Sequence, residues 1–96
     1  PSELAHALVK TDIIKIFPIA QLGGPAYIKA IAAPFRKISF SLIPTGGVSL
    51  ENMRQYLDTD TVLACGMSQM VDPALIEKKD WSTLESRIKE AVATAK

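Results

Sequence analysis

The chain has 96 residues, 48% of them hydrophobic, and a formal net charge of +1. That length suits one soluble domain with a real core; balanced charge of mixed sign gives no basic patch for nucleic acid, and no apolar run reaches the roughly 20 residues of a membrane helix. The single cysteine, Cys65, excludes an internal disulfide and, with no secretory signal at the start, fits a reducing cytoplasm.

Helix and strand patterns alternate. Leu4, Leu8 and Val9 share one face of a helix expected over residues 2–9, with Pro1 at a first-turn position. Residues 13–17 read as a short strand with Lys15 inside its apolar run. Gly23 and Gly24 break the chain, and Pro25 opens a helix with Tyr27, Ile28, Ile31 and Ala32 at helical spacing. Pro34 ends it. Residues 38–43 form the second strand, which runs into Pro44-Thr45-Gly46-Gly47. Ser49 is the expected N-cap of the next helix, with Leu50, Met53 and Leu57 inward and Glu51 favoured by the helix dipole. Residues 61–65 form the third strand, followed by Gly66-Met67-Ser68 and an irregular stretch through Asp72 and Pro73. Ser82-Thr83-Leu84-Glu85 has the form of a capping box. It opens a last helix with Leu84, Ile88, Ala91 and Val92 inward.

The order is one helix and then three βα units, the strands starting about 25 residues apart, as parallel strands with crossover helices require. Three such strands leave both sheet edges open, whereas a closed (β/α)8 barrel needs eight strands and about 200 residues or more. The expected fold class is therefore α/β, with residues 1–96 the C-terminal part of a single TIM-barrel domain.

In a barrel, chemistry gathers at the carboxyl ends of the strands. Burying an ammonium costs free energy, so a lysine inside an apolar strand tends to lose its proton near neutral pH. A neutral amine in a dry pocket forms Schiff bases with carbonyls. The plainer alternative for Lys15 is a head group that snorkels out of the strand end. The second and third strand ends offer backbone N–H groups, the hydroxyls of Thr45 and Ser68, and a helix start. That combination binds phosphate, although glycine pairs at such turns also occur for steric reasons alone. Gly23-Gly24 is read as helix entry. His6 reads as a surface or packing residue, Cys65 as a small buried hydrophobe, residues 77–80 as a solvated turn, and Trp81 as the anchor of the last helix. Asp58 and Asp60 flank a turn at the opposite end from the chemistry. No spacing of His, Cys or carboxylates suggests a metal.

Lys15-Ile16-Phe17-Pro18, Gln21-Leu22-Gly23-Gly24-Pro25, Pro34-Phe35 and Pro44-Thr45-Gly46-Gly47-Val48-Ser49 occur in that order. Together they resemble the 2-keto-3-deoxy-6-phosphogluconate and 2-keto-4-hydroxyglutarate aldolase family. The likeness continues through Tyr56-Leu57 and Ser68 to Trp81. It implies a cytoplasmic, trimeric class I aldolase of Entner–Doudoroff carbohydrate metabolism, with no metal or other cofactor, acting on a small and phosphorylated keto acid. Lys15 then matches the Schiff-base lysine, and Phe17 and Pro18 the wall beside it. Thr45, Gly46 and Gly47 match the phosphate-side loop, with Gly66 and Ser68 on the second. The products would be pyruvate with glyceraldehyde 3-phosphate, or with glyoxylate from the hydroxyglutarate substrate.

Several positions depart from the pattern. Met67 replaces a second glycine, so its side chain is expected to crowd the phosphate or to favour a substrate without one. Gln69 stands where a tryptophan is frequent, Ile19-Ala20 replaces an Ala-Glu pair, and the segment before Pro44 is longer than usual. Nothing in residues 1–96 matches the general-base glutamate or the carboxylate-holding residues. The alternative reading is a non-catalytic half-barrel fragment that binds phosphate or assembles with another chain.

Overall fold

Along the first strand Ile14 and Ile16 alternate with Ile13 and Lys15, and that period of two decides which face of the sheet is covered. In the computed structural model, which describes all 96 residues, β1 (Ile13–Ile16) packs Ile14 and Ile16 against the buried cluster and leaves Ile13 and Lys15 exposed. β2 (Ser41–Pro44) pairs with it in parallel, Ile13 beside Ser41 and Lys15 beside Ile43. Leu42 and Pro44 are fully buried on the covered face.

Helices supply the cover. α1 (Ser2–Leu8) buries Leu4. Ile19 is fully buried at the start of α2 (Ile19–Leu22), a single turn that the sequence pattern does not announce. α3 (Gly24–Ala32), with Pro25 in its first turn, buries Ile28, Ile31 and Ala32. α4 (Met53–Leu57) adds Met53 and Tyr56. Leu4, Ile19, Ile28, Ile31, Leu42, Val48, Met53 and Tyr56 form one cluster. Two strands are not independently stable, whereas each fully buried side chain of this kind is worth about 1.5–3 kcal/mol over exposure. The cluster therefore holds the sheet, not the reverse. No helix is long and apolar enough to cross a membrane.

The expected third strand is reduced to two parallel bridges, Leu42 with Val62 and Thr45 with Gly66. Leu42 N–H donates to Thr61 O at 2.7 Å and Leu63 N–H to Leu42 O at 2.9 Å. The next rung would need an N–H from Pro44, which has none. The Pro44 carbonyl is then taken by Gly66, at 2.9 Å, one residue beyond the regular register. Proline thus stops the ladder and leaves an unpaired residue, as in a bulge.

Other boundaries move for local reasons. β2 begins late because the chain makes a further turn after the 3₁₀ turn Ala33–Phe35, with Ile38 N–H donating to Phe35 O at 2.8 Å. Ser49 does not cap α4; its own amide donates to Asn52 Oδ1 at 2.7 Å, and the helix starts only at Met53. α5 (Pro73–Glu77) is capped by Asp72, whose Oδ1 accepts from Ala74 N–H at 2.9 Å. α6 (Trp81–Ala95) opens before the expected capping box. Asp80 is its N-cap, accepting from Thr83 N–H at 3.2 Å and from Thr83 Oγ1 at 2.8 Å. Trp81 does not anchor the helix: it is 57% exposed, and Ile88 and Val92 are exposed too. Leu84 is buried, and Arg54 of α4 donates to the carbonyls of Thr94 and Ala95, which satisfies the far end of α6.

Candidate active site

The turn after β1 is stitched to the turn after β2. Thr45 N–H donates to Ile16 O at 2.9 Å, Ile19 N–H to Thr45 O at 2.8 Å, and Ala20 N–H to Gly46 O at 3.0 Å. Phe17 and Pro18 therefore lie against the diglycine turn. A Cβ added at position 46 would come within 2.9 Å of Phe17 Cδ2 and 3.0 Å of Pro18 Cα. One added at 47 would collide with the Ala20 methyl group. Gly46 and Gly47 also have φ of +93° and +85°, a region that L side chains rarely occupy. Glycine is needed here on both counts. Gly66 sits against the same turn, its missing Cβ 2.5 Å from Thr45 Oγ1.

This turn presents unpartnered donors. The amides of Gly46, Gly47 and Val48 donate to no carbonyl and no side chain of the protein. Successive free amides in such a turn form an anion-binding concavity. The flanking groups are taken: Ser49 N–H by Asn52 Oδ1, Leu50 N–H by Gln69 Oε1 at 3.0 Å, and Gly47 O by Asn52 Nδ2 at 2.9 Å. Ser68 opens the 3₁₀ turn Ser68–Val71 two residues beyond Gly66 and is exposed. Met67 does not stand out into this space; its side chain packs against the buried cluster.

Lys15 stands one residue before the Ile16 carbonyl that receives Thr45. The burial expected of Lys15 is not found. Lys15 is exposed, on the same open sheet face as Ile13. Its strand has one neighbour only, so nothing closes over it. With Phe17, Leu22 and Tyr27 it lines a cleft of about 620 Å³ beside α1. The sole carboxylate on that cleft is Glu3, which forms no ion pair with Lys15.

The structure thus gathers Phe17, Pro18, Thr45, Gly46, Gly47 and Gly66 at one end of the strands, with Lys15 on the adjoining strand. Asn52 and Gln69 hydrogen-bond the flanks of this turn, contacts that sequence reading missed. Asn52 had a signal, a carboxamide within reach of a glycine turn; Gln69 stood out only as a departure from the family pattern, and its contact spans 19 residues. Behind the turn, burial pushes the Cys65 thiol up, only partly countered by Arg54. Burial, and then Cys65, likewise raises the Tyr56 hydroxyl. The Glu51 carboxyl is held below its ordinary range by its own amide and then by the Ser49 hydroxyl.

A lysine and an amide-lined turn at the carboxyl ends of neighbouring parallel strands mark an α/β scaffold of the kind that carries enzyme sites there. The chain belongs to the KDPG and KHG aldolase family, whose model matches residues 1–87. It is 41% identical over 78 residues to the 2-dehydro-3-deoxy-phosphogluconate aldolase of Pseudomonas aeruginosa, covering 81% of this chain and 34% of that protein. It is 43% identical over 81 residues to the enzyme of the same name from Dickeya dadantii, covering 84% and 37%. Among solved structures it superposes, with a TM-score of 0.83 and 30% identity, on the KDPG aldolase of Legionella pneumophila with pyruvate captured at low pH as a covalent carbinolamine intermediate. That match covers 99% of this chain and 44% of the other. The chain spans about a third of the length of the curated relatives it matches.

Proposed function

We propose that Lys15 is the Schiff-base lysine of a class I aldolase whose substrate carries its phosphate on the Gly46–Val48 turn. The carrying observation is the stitched pair of turns, which sets three free amides beside the strand that holds Lys15. The carbinolamine in the Legionella enzyme supports the same chemistry. Lys15 Nζ adds to the keto carbon of 2-keto-3-deoxy-6-phosphogluconate, and loss of water leaves an iminium. The C3–C4 bond then breaks as the C4 hydroxyl gives up its proton, and its electron pair flows into the iminium. Glyceraldehyde 3-phosphate departs. The enamine is protonated at C3, and water releases pyruvate and the free lysine. The same steps on 4-hydroxy-2-oxoglutarate give pyruvate and glyoxylate.

Both proton transfers need an acid/base within hydrogen-bond reach. No carboxylate of residues 1–96 is placed against Lys15, so in this reading the base comes from the rest of a closed (β/α)8 barrel. Those same strands would cover the open face and desolvate the amine. The trimer and the cytoplasmic location belong to the same proposal. The exposure of Lys15 favours a second reading, a non-catalytic half-barrel that binds phosphate.

Borohydride reduction in the presence of pyruvate separates the two. The aldolase reading expects a reduced pyruvyl adduct on Lys15, found by peptide mass spectrometry, and loss of activity in both Lys15→Ala and Lys15→Arg, since guanidinium stays protonated. An unmodified Lys15 with activity surviving Lys15→Ala overturns it. Phosphate affinity with no adduct would establish the second reading.

A further inference from the structure

We propose that Gln69 is a positioning residue of the anion cradle, locking the turn after β2 to the segment that follows the third strand. This rests on the reading that the Gly46–Val48 amides take the substrate's phosphate. Gln69 Oε1 accepts from Leu50 N–H at 3.0 Å, across 19 residues and in a partly buried setting. The residue is itself held from behind. Arg87 of α6 donates from Nη1 to the Gln69 carbonyl at 3.2 Å, and the same guanidinium pairs with Asp72 at 3.6 Å. Asp72 in turn caps α5. A line of polar contacts therefore runs from α6 through Gln69 to the amide just beyond the diglycine turn.

The consequence for binding is selective. Asn52 occupies Ser49 N–H and Gly47 O, and Gln69 occupies Leu50 N–H. Two neutral carboxamides thus satisfy the flanks of the loop and leave Gly46, Gly47 and Val48 as its free donors. Without Gln69 the Leu50 amide loses its partner. The loop then gains freedom that must be given up when an anion binds, so affinity falls. The effect belongs to the phosphate and not to the keto group.

Titrating the ¹⁵N-labelled full-length protein with inorganic phosphate, and following the Gly46, Gly47 and Val48 amide shifts, tests this. Gln69→Met keeps the side-chain length and removes the acceptor. It is expected to weaken phosphate binding about five- to tenfold and to speed hydrogen exchange at Leu50. In turnover assays KM for the phosphorylated keto acid should rise by the same factor with kcat held, and by more than KM for 4-hydroxy-2-oxoglutarate, whose second anion is a carboxylate bonded directly to C4. A purely structural role would move both substrates together. Equal or tighter phosphate binding by Gln69→Met, with wild-type binding intact, overturns the role of Gln69 and leaves the cradle standing. Wild-type amides that ignore phosphate remove the cradle and this role with it. Should Gln69→Met fail to fold, Arg87→Met frees the Gln69 carbonyl while keeping the carboxamide. It should weaken binding about two- to threefold, and an unchanged affinity overturns the proposal.

Discussion

A methyl group at position 47 would have to share space with the side chain of Ala20, on a backbone already at φ +85°. Neither neighbour can yield, because Ala20 N–H is fixed to Gly46 O. Gly47→Ala should therefore cost about 1–3 kcal/mol of folding stability, read as a shift of the urea midpoint at constant slope. Gly66 makes the contrasting case. Its backbone is not at positive φ, although an added Cβ would come within 2.5 Å of Thr45 Oγ1, 3.2 Å of its Cγ2 and 3.3 Å of its Cβ, so the Thr45 side chain must shift. Gly66→Ala, free of the backbone term, should cost less than Gly47→Ala. Equal penalties at the two positions would mean that the left-handed turn is not the source of the strain.

At the scale of the elements, the cap of α6 offers a test by pH. Asp80 is held below its ordinary value of 3.8, first by the Thr83 hydroxyl and then by the Thr83 amide. Folding favours the charged form, so the bonds contribute fully above pH 3.8 and are lost as pH falls through the lower folded value. Thr83→Val should lower the melting temperature at pH 6, and the gap to wild type should close as the buffer is taken from pH 4 toward pH 2.5. A gap that persists at the lowest pH would show that Thr83 acts through packing alone. This cap also marks how far the elements could be read from sequence. β1, α1 and α3 were legible because Ile14, Ile16, Leu4, Ile28 and Ile31 follow the periods of strand and helix. The third strand was not, because its fault lies in the neighbouring Pro44, which withholds a rung. The capping box was misplaced by two residues because Asp80, two residues earlier, takes the Thr83 amide and starts the helix at Trp81. The diglycine turn and its link to Phe17 and Pro18 were legible as a motif. The burial of Lys15 was not, since exposure depends on what lies across the sheet and not on the apolar run around it.

The whole molecule is longer than its residue count requires. Its radius of gyration is 15.0 Å, in an envelope of 46 × 24 × 22 Å, against about 12.5 Å for a compact domain of this length. Thirteen of its residues are buried. The cluster that holds it lies wholly on the helix-covered side of the sheet, and the other face leaves Ile13, Phe17 and Leu63 at 51%, 66% and 56% exposure. Exposed apolar side chains on one face, here interrupted by Lys15, bind hydrophobic dyes or other apolar surface. The 96-residue chain should therefore raise the fluorescence of anilinonaphthalene sulfonate while still unfolding cooperatively. Ile13→Thr combined with Leu63→Thr should dim that signal and shift stability by less than about 0.5 kcal/mol, because both side chains are already more than half exposed. Leu42→Ala, on the covered face, should cost about 2–5 kcal/mol. If the threonine pair unfolds the chain, or the dye ignores it, then the face bearing Lys15 is packed in solution. The cohesion of the fold would then lie on both sides of the sheet.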